Sequence, residues 1–307
     1  MTQKPSPAAS TTSVVLGALT HVGQKRSNNQ DSMCSLAAPN TQNGVTALVA
    51  VADGMGGHQG GEVASALAIK GVIARLGKNS GADFTNGNRT ELMTNAVRQI
   101  HADVVAAGKT PETAGMGTTL SIAVIENKRM LVGHVGDSRI YLTRGSQFTQ
   151  LTEDHSWVAE EVRRGNLTQA EADVHPRRNL VSQAIGATAI VEPQVLEFDL
   201  VVGDKIMLCS DGLHGLVSRE DMRVTIEMMP PDLAAQTLVD KANDAGGHDN
   251  ITVVIAEIVD KANGAGRTQL SEMNTITLDS RSGTSIFRII TWPVRIVFKG
   301  LRKLLRF

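Results

Sequence analysis

From Leu48 to Ala52 the chain is an unbroken apolar run that stops at Asp53, turns through Gly54-Met55-Gly56-Gly57-His58-Gln59-Gly60-Gly61, and enters a segment, Glu62 to Leu76, with small and apolar residues at helical spacing. A buried strand that delivers a carboxylate into a glycine-crowded turn narrows the choice of folds. The strand end is rigid, while its side chain is offered to whatever lies at the edge of the sheet. Turns of this composition often cradle nucleotide phosphates, but no Lys-Ser or Lys-Thr follows these glycines and an acid stands first. An acid ahead of the glycines suits a metal ion better than a bare phosphate. A lone Asp-Gly is often only a turn, so the rest of the chain decides.

The remaining pattern is mixed. Strands are expected at Val14 to Thr20, Met33 to Ala38 and Thr46 to Ala52, followed by helices to Leu76 and from Thr90 to Ala107. Thr118 to Ile125, Met130 to Val135 and Ile140 to Thr143 read as an antiparallel meander interrupted at Gly136-Asp137-Ser138-Arg139. Leu151 to Ala187 is polar and partly helical, an insertion over a site. Val195 to Leu200 and Lys205 to Cys209 are further strands, Leu233 to Ala245 a third helix, and Ile251 to Ile258 the last strand. Strict strand–helix alternation is absent, which argues against a doubly wound parallel sheet and for an α+β fold with helices covering antiparallel sheets.

Four aspartates share one setting, beside Gly or Asn at a strand boundary: Asp53, Asp137, Asp211 and Asp249. A fifth, Asp31, follows Asn29-Gln30. Carboxylates brought together raise one another's pKa and stay ionised only when hard cations neutralise them. All-oxygen ligands select Mg²⁺ or Mn²⁺ over zinc. Two such ions roughly 3.5–4 Å apart can activate a water for in-line attack on phosphorus.

Composition excludes some alternatives. The net charge of −1 hides an asymmetry: Arg288, Arg295, Lys299, Arg302, Lys303 and Arg306 crowd the end of the chain with no acid among them. The other 24 basic residues face 31 acids, a body near −7 and a poor general binder of nucleic acid. Aromatics are 3% of the chain, too few for base-stacking platforms. Cys34 and Cys209 make neither a disulfide framework nor a zinc spacing, and a reducing cytosol is the simplest setting.

The motifs Arg26-Ser27-Asn28-Asn29-Gln30-Asp31, Ala52-Asp53-Gly54-Met55-Gly56-Gly57-His58, Gly117-Thr118-Thr119, Gly136-Asp137-Ser138-Arg139, His175-Pro176, Ser210-Asp211-Gly212 and Asp249-Asn250 occur in one order. In that order, from about Val15 to Ile258, the chain resembles the metal-dependent protein phosphatases, the type 2C serine/threonine phosphatases, in their compact bacterial form. The resemblance implies a four-layer α/β/β/α sandwich of two antiparallel sheets covered by helices. It implies two Mn²⁺ or Mg²⁺ ions, with Asp53 bridging them, the Gly54 carbonyl completing one, and Asp211 and Asp249 holding the other. Asp31 would act through water, Arg26 would grip the substrate phosphate, and Asp137 would serve a third, weaker metal site with Asn179 as a candidate assistant. A metal-bridging hydroxide would hydrolyse phosphoserine and phosphothreonine in proteins by in-line attack without a covalent intermediate, opposing a bacterial serine/threonine kinase. Leu151 to Ala187 would be the flap beside the site.

Two positions depart from the family pattern. Gln30 stands where glutamate is usual, which removes a charge, and Met55 stands where animal-type members carry a histidine proposed as general acid. His58 does not inherit that role. Gln30 also motivates the alternative of a weakly active phosphatase-fold scaffold that binds phosphorylated partners; a metal-dependent nuclease is disfavoured by the acidic body. Cys209 reads as core, His101, His134, His155 and His214 as structural or surface, and the pairs Arg163-Arg164 and Arg177-Arg178 as solvated charge rather than phosphopeptide docking.

The expected organisation is a disordered 1–12, a catalytic domain over 13–260, a flexible linker over 261–285 rich in Gly, Asn, Ser and Thr, and a basic amphipathic helix over 286–307. At 100° per residue the basic residues of that helix form one stripe, and Ile, Val, Leu, Phe and Trp292 fill the rest. Six cations oppose a spanning helix and suit one lying on anionic lipid. The expected location is cytoplasmic, peripheral at the inner face of the membrane.

Overall fold

The computed structural model of the chain describes residues 12–261, except 43, 57–59, 85–87 and 112. The expected linker beyond Lys261, the basic helix, residues 1–11 and His58 lie outside the described residues.

One sheet contains β1 (Thr12–His21), β7 (Arg139–Arg144), β8 (Gln147–Gln150), β10 (Lys205–Cys209) and β11 (Ile251–Asp260), in the order β1-β11-β10-β7-β8. The other holds β2 (Asp31–Ala37), β3 (Ala47–Met55), β5 (Leu120–Glu126), β6 (Arg129–Val135) and β9 (Gln194–Asp199), in the order β2-β3-β5-β6-β9, with the two-residue β4 (Gly117–Thr118) pairing to the end of β3. All pairings are antiparallel. Helices α1 (Gly60–Leu76) and α2 (Arg89–Ala107) cover the second sheet; α6 (Arg219–Met228) and α7 (Pro231–Asp244) cover the first. Three apolar layers result, one between the sheets and one under each helix pair. This is the expected four-layer sandwich.

Period-two alternation explains both the layers and the site. On β3, Ala47, Val49 and Val51 face the opposite sheet, while Leu48, Ala50 and Ala52 face α1 and α2. Continued two residues further, the same inter-sheet series reaches Asp53. On β11 it runs Ile258, Ala256, Val254 and then Thr252; on β10, Ile206, Leu208 and then Ser210; on β2, Met33 and then Asp31. At one edge of the sandwich the apolar series of these four strands therefore end in oxygen-bearing side chains. The functional site lies at that edge.

Four local expectations change. The strand carrying Asp53 does not stop there but continues through Gly54 and Met55, because β4 pairs with its end. The segment from Thr118 to Thr143 is not one meander. The β5–β6 hairpin belongs to one sheet, and after Gly136, which adopts φ +108° against Thr119, β7 crosses to pair with β10. Helix α6 lies between the expected elements; its apolar contacts are few (Met222 and Ile226), and Ser218 caps it by accepting from the Asp221 amide. Edge strand β8 also goes beyond the sequence reading, being four residues with one buried side chain, Phe148.

Candidate active site

Asp31 and Asp53 face one another as a directly opposed pair on β2 and β3. The backbone of Asp53 is held from both sides. Its amide donates to Thr119 Oγ1 at 2.9 Å, and its carbonyl accepts from the Thr119 amide and from Thr118 Oγ1, each at 2.9 Å. Thr119 Oγ1 in turn meets Ser138 Oγ at 2.7 Å. The Gly-Thr-Thr and Gly-Asp-Ser-Arg motifs thus act on Asp53 through buried hydroxyls. Gly54 must be glycine: a Cβ there would overlap the carbonyl oxygens of Gln30 and Gly61, and the Gly54 amide donates to Gln30 at 3.1 Å. The Gly54 carbonyl oxygen lies against Gly61, where a Cβ would come within 2.7 Å of it.

Asp31 is buried. Its Oδ2 accepts from Ser210 Oγ at 2.8 Å and Thr252 Oγ1 at 2.6 Å, hydroxyls of the opposite sheet. Its Oδ1 is buried with no hydrogen-bond partner, an orphan acceptor that native interiors rarely tolerate. Burial, with Asp211 and Asp249 nearby, pushes the Asp31 carboxyl up to about 7 despite the two hydroxyls. Asp53, Asp211 and Asp137 sit in a recess that leaves each partly accessible. Lost solvation followed by repulsion from the other acids raises all three, Asp53 well above the usual carboxylate range and Asp137 to about 7.

Asp211 opens the short helix α5 (Asp211–His214), directly after β10. A Cβ on Gly212 would overlap the Asn250 carbonyl oxygen, so only glycine lets this turn pack on the start of β11. Asp249 is the most open of the acids; its Oδ2 accepts from Arg26 Nη2 at 2.8 Å. The next residue, Asn250, ties the loop that carries Arg26. It donates to the carbonyls of Val22 and Asn28 and accepts from the Gln30 amide, at 2.9, 2.9 and 2.8 Å. The side-chain nitrogen of Gln30 points at Gly61.

Five acids from five segments thus meet at one edge, with Asp137 near Asp211 beside the same cavity. The donor set is all oxygen, several of its members repel one another, and one buried acceptor is bare, which fits Mg²⁺ or Mn²⁺. Among the described residues no three His, Cys, Asp or Glu side chains stand so placed that they would hold a metal ion by themselves. Mg²⁺ in particular is held by one or two carboxylates and keeps several waters, so an open cluster fits it as well.

Beside Asp137 and Asp211 opens a cavity of about 790 Å³, whose other wall comes from Val158 of α3 (Trp157–Arg163), Ala172 of α4 (Gln169–Val174) and Arg178 in the segment after α4. This is the expected flap, and Asn179 also lines the cavity. Arg163 pairs with Glu153, Arg164 with Glu160 and Glu161, and Arg177 stacks over Trp157, while Arg163 and Arg178 also line the cavity. Cys209 is core, its thiol pushed up to about 12 by burial. The histidines divide: His134 and His155 are buried, and His214 donates from Nε2 to the Asp137 carbonyl at 3.0 Å. Sequence reasoning assigned no role to Ser210, Thr252, Ser138 or the Asn250 side chain; the available signal was a polar residue standing in phase with an apolar strand series.

A family model described as protein phosphatase 2C matches residues 20–244. The chain belongs to the protein phosphatase 2C family. This phosphatase is 37% identical over 242 residues to protein phosphatase PhpP of Streptococcus pneumoniae, covering 78% of this chain and 96% of that one. Among solved structures, the Streptococcus agalactiae serine/threonine phosphatase superposes with a TM-score of 0.73 at 33% identity, covering 80% of this chain and 99% of the other. The catalytic domain of serine/threonine phosphatase PstP, solved in complex with two manganese ions, gives 0.70 at 34%, covering 81% and 100%. The phosphatase is thus of the bacterial serine/threonine kind, a phosphoprotein hydrolase.

Proposed function

We propose that this phosphatase uses Mn²⁺ or Mg²⁺ held by Asp53, Asp211 and Asp249, with the Gly54 carbonyl as a further ligand, Asp31 acting through water, and Asp137 serving a third, weaker position. The observation that carries this reading is the meeting of acids from separate strand ends beside the bare, buried Asp31 Oδ1, whose partner oxygen is held by the hydroxyls of Ser210 and Thr252. The bound ions supply Lewis acidity and lower the pKa of coordinated water.

The chain's own groups do the rest. Arg26 stands at the mouth with an exposed guanidinium whose fork suits a phosphate dianion. Its pair with Asp249 is solvent-exposed and so contributes little to stability, which leaves Arg26 free to exchange a carboxylate for a phosphate. The hydroxyls of Thr118 and Thr119 keep Asp53 fixed, and those of Ser210 and Thr252 fix one Asp31 oxygen so that the other faces the cluster.

The substrates are phosphoserine and phosphothreonine proteins, among them a serine/threonine kinase that the phosphatase opposes. Residues 13–260 form the catalytic domain, 261–285 a linker, and 286–307 a basic amphipathic anchor for anionic membrane at the cytoplasmic face. Among the described residues no helix is long and apolar enough to cross a membrane. Hydrolysis of p-nitrophenyl phosphate and a phosphothreonine peptide tests the enzymatic reading. Activity is expected to require Mn²⁺ or Mg²⁺ and to fall at least a hundredfold in Asp211→Asn. Metal-independent activity, or a fully active Asp211→Asn, refutes it.

A further inference from the structure

The mechanism leaves two buried histidines without a task. His134 is fully buried on β6, opposite Ser121 of β5 in the strand register. Its Nδ1 lies 2.9 Å from Ser121 Oγ and its Nε2 lies 3.1 Å from the Glu153 carbonyl oxygen. A carbonyl only accepts, so Nε2 carries the proton and Nδ1 accepts from the serine hydroxyl. Both nitrogens are thus satisfied in the neutral ring. His155 packs against it with ring centroids 5.1 Å apart, donates its amide to Gly136 O at 2.7 Å, and offers its carbonyl to the Ser182 amide at 2.8 Å.

These bonds lie at the two ends of the flap. Glu153 to Ser156 lead into α3, and Leu180 to Ile185 lead out of α4, where the Leu180 carbonyl accepts from Trp157 and Ile185 bridges to Thr118. On β5, Ser121 lies two residues from Thr119, the residue that clamps Asp53. The imidazole therefore spans from the strand that follows Thr119 to the entry of the flap. We propose that His134 is a positioning residue that holds the flap in register with the acid cluster, so that a peptide lying across the cavity meets a wall set at the right distance from the phosphate. This inference rests on the phosphatase reading above.

An aryl phosphate occupies the acid cluster alone, whereas a phosphopeptide extends over the flap. The test is steady-state kinetics in Mn²⁺ on the full chain, comparing a phosphothreonine peptide with p-nitrophenyl phosphate, alongside melting temperatures. His134→Gln keeps a donor able to reach the Glu153 carbonyl, whereas His134→Asn is too short for it. The ratio of peptide KM to aryl phosphate KM is expected to rise at least fivefold in His134→Asn and to stay within twofold of wild type in His134→Gln, even where both melt at equal temperature. A ratio unchanged in His134→Asn, or raised equally in both, overturns the proposal. Should neither variant fold, Ser121→Ala decides: it frees the Nδ1 end of the ring, and a ratio raised at least twofold supports the role while an unchanged one refutes it. A wild-type chain without metal-dependent aryl phosphatase activity sinks both readings; an active one with an unmoved ratio sinks only this one.

Discussion

Asp31 concentrates the electrostatics of the site in one side chain. One oxygen is fixed by Ser210 and Thr252, the other is bare, and the carboxyl is pushed up to about 7 by burial and by its acidic neighbours. Asp137 is raised to the same level by burial and by Asp211 and Asp154. In the unfolded chain both carboxyls titrate near 4, so between about pH 4 and pH 7 the folded, metal-free protein binds more protons than the unfolded one. Stability from these groups is full below the unfolded pKa and is lost as pH rises through the folded value. The buried His134 and His214, lowered by burial, act in the opposite sense, so the acids' share is read as a difference. Relative to Asp31→Asn, wild-type melting in EDTA is expected to fall between pH 5 and pH 8, and saturating Mn²⁺ to flatten or reverse that difference by favouring the ionised form. Differential scanning fluorimetry of the wild type against Asp31→Asn checks both; a metal-free pH dependence identical in the two proteins contradicts the raised carboxyl and the clustering of the acids.

At the scale of the element, the strands do two jobs with one alternation. Leu208, fully buried between the sheets, stands two residues before Ser210 on the same face of β10. Leu208→Ala is expected to cost about 2–5 kcal/mol in urea unfolding, with Mn²⁺-stimulated turnover retained at temperatures where the variant is folded. Loss of turnover in a folded variant would show that this layer does more than support the edge. The strands were legible because long apolar runs such as Leu48–Ala52 and Ile251–Ile258 declare themselves. Helix α6 was not, since its burial rests on Met222 and Ile226 and its start on a Ser218 cap that resembles any polar turn. Nor was the crossing after Gly136: β-propensity continues through Arg139–Arg144, and only tertiary pairing with β10 reveals the change of sheet.

For the molecule as a whole, the acids were legible singly as Asp-Gly and Asp-Asn turns, and their convergence followed from the family resemblance rather than from spacing. The hydroxyls that hold them were hidden, because Thr252 inside Ile251–Ile258 looks like an ordinary β-branched strand residue until Asp31 is seen against it. The basic segment 286–307 is proposed as an anchor, so its deletion is expected to move the protein from the membrane to the supernatant on fractionation while metal-dependent activity persists; an unchanged distribution refutes the anchor. The account depends most on cations at the edge where the two sheets' oxygen-bearing side chains meet. Anomalous diffraction at the manganese edge from crystals soaked in MnCl₂ tests that directly. Two strong peaks among Asp53, Asp211 and Asp249, within reach of Asp31 through water, are predicted; fully folded protein with no peak between those carboxylates would contradict it.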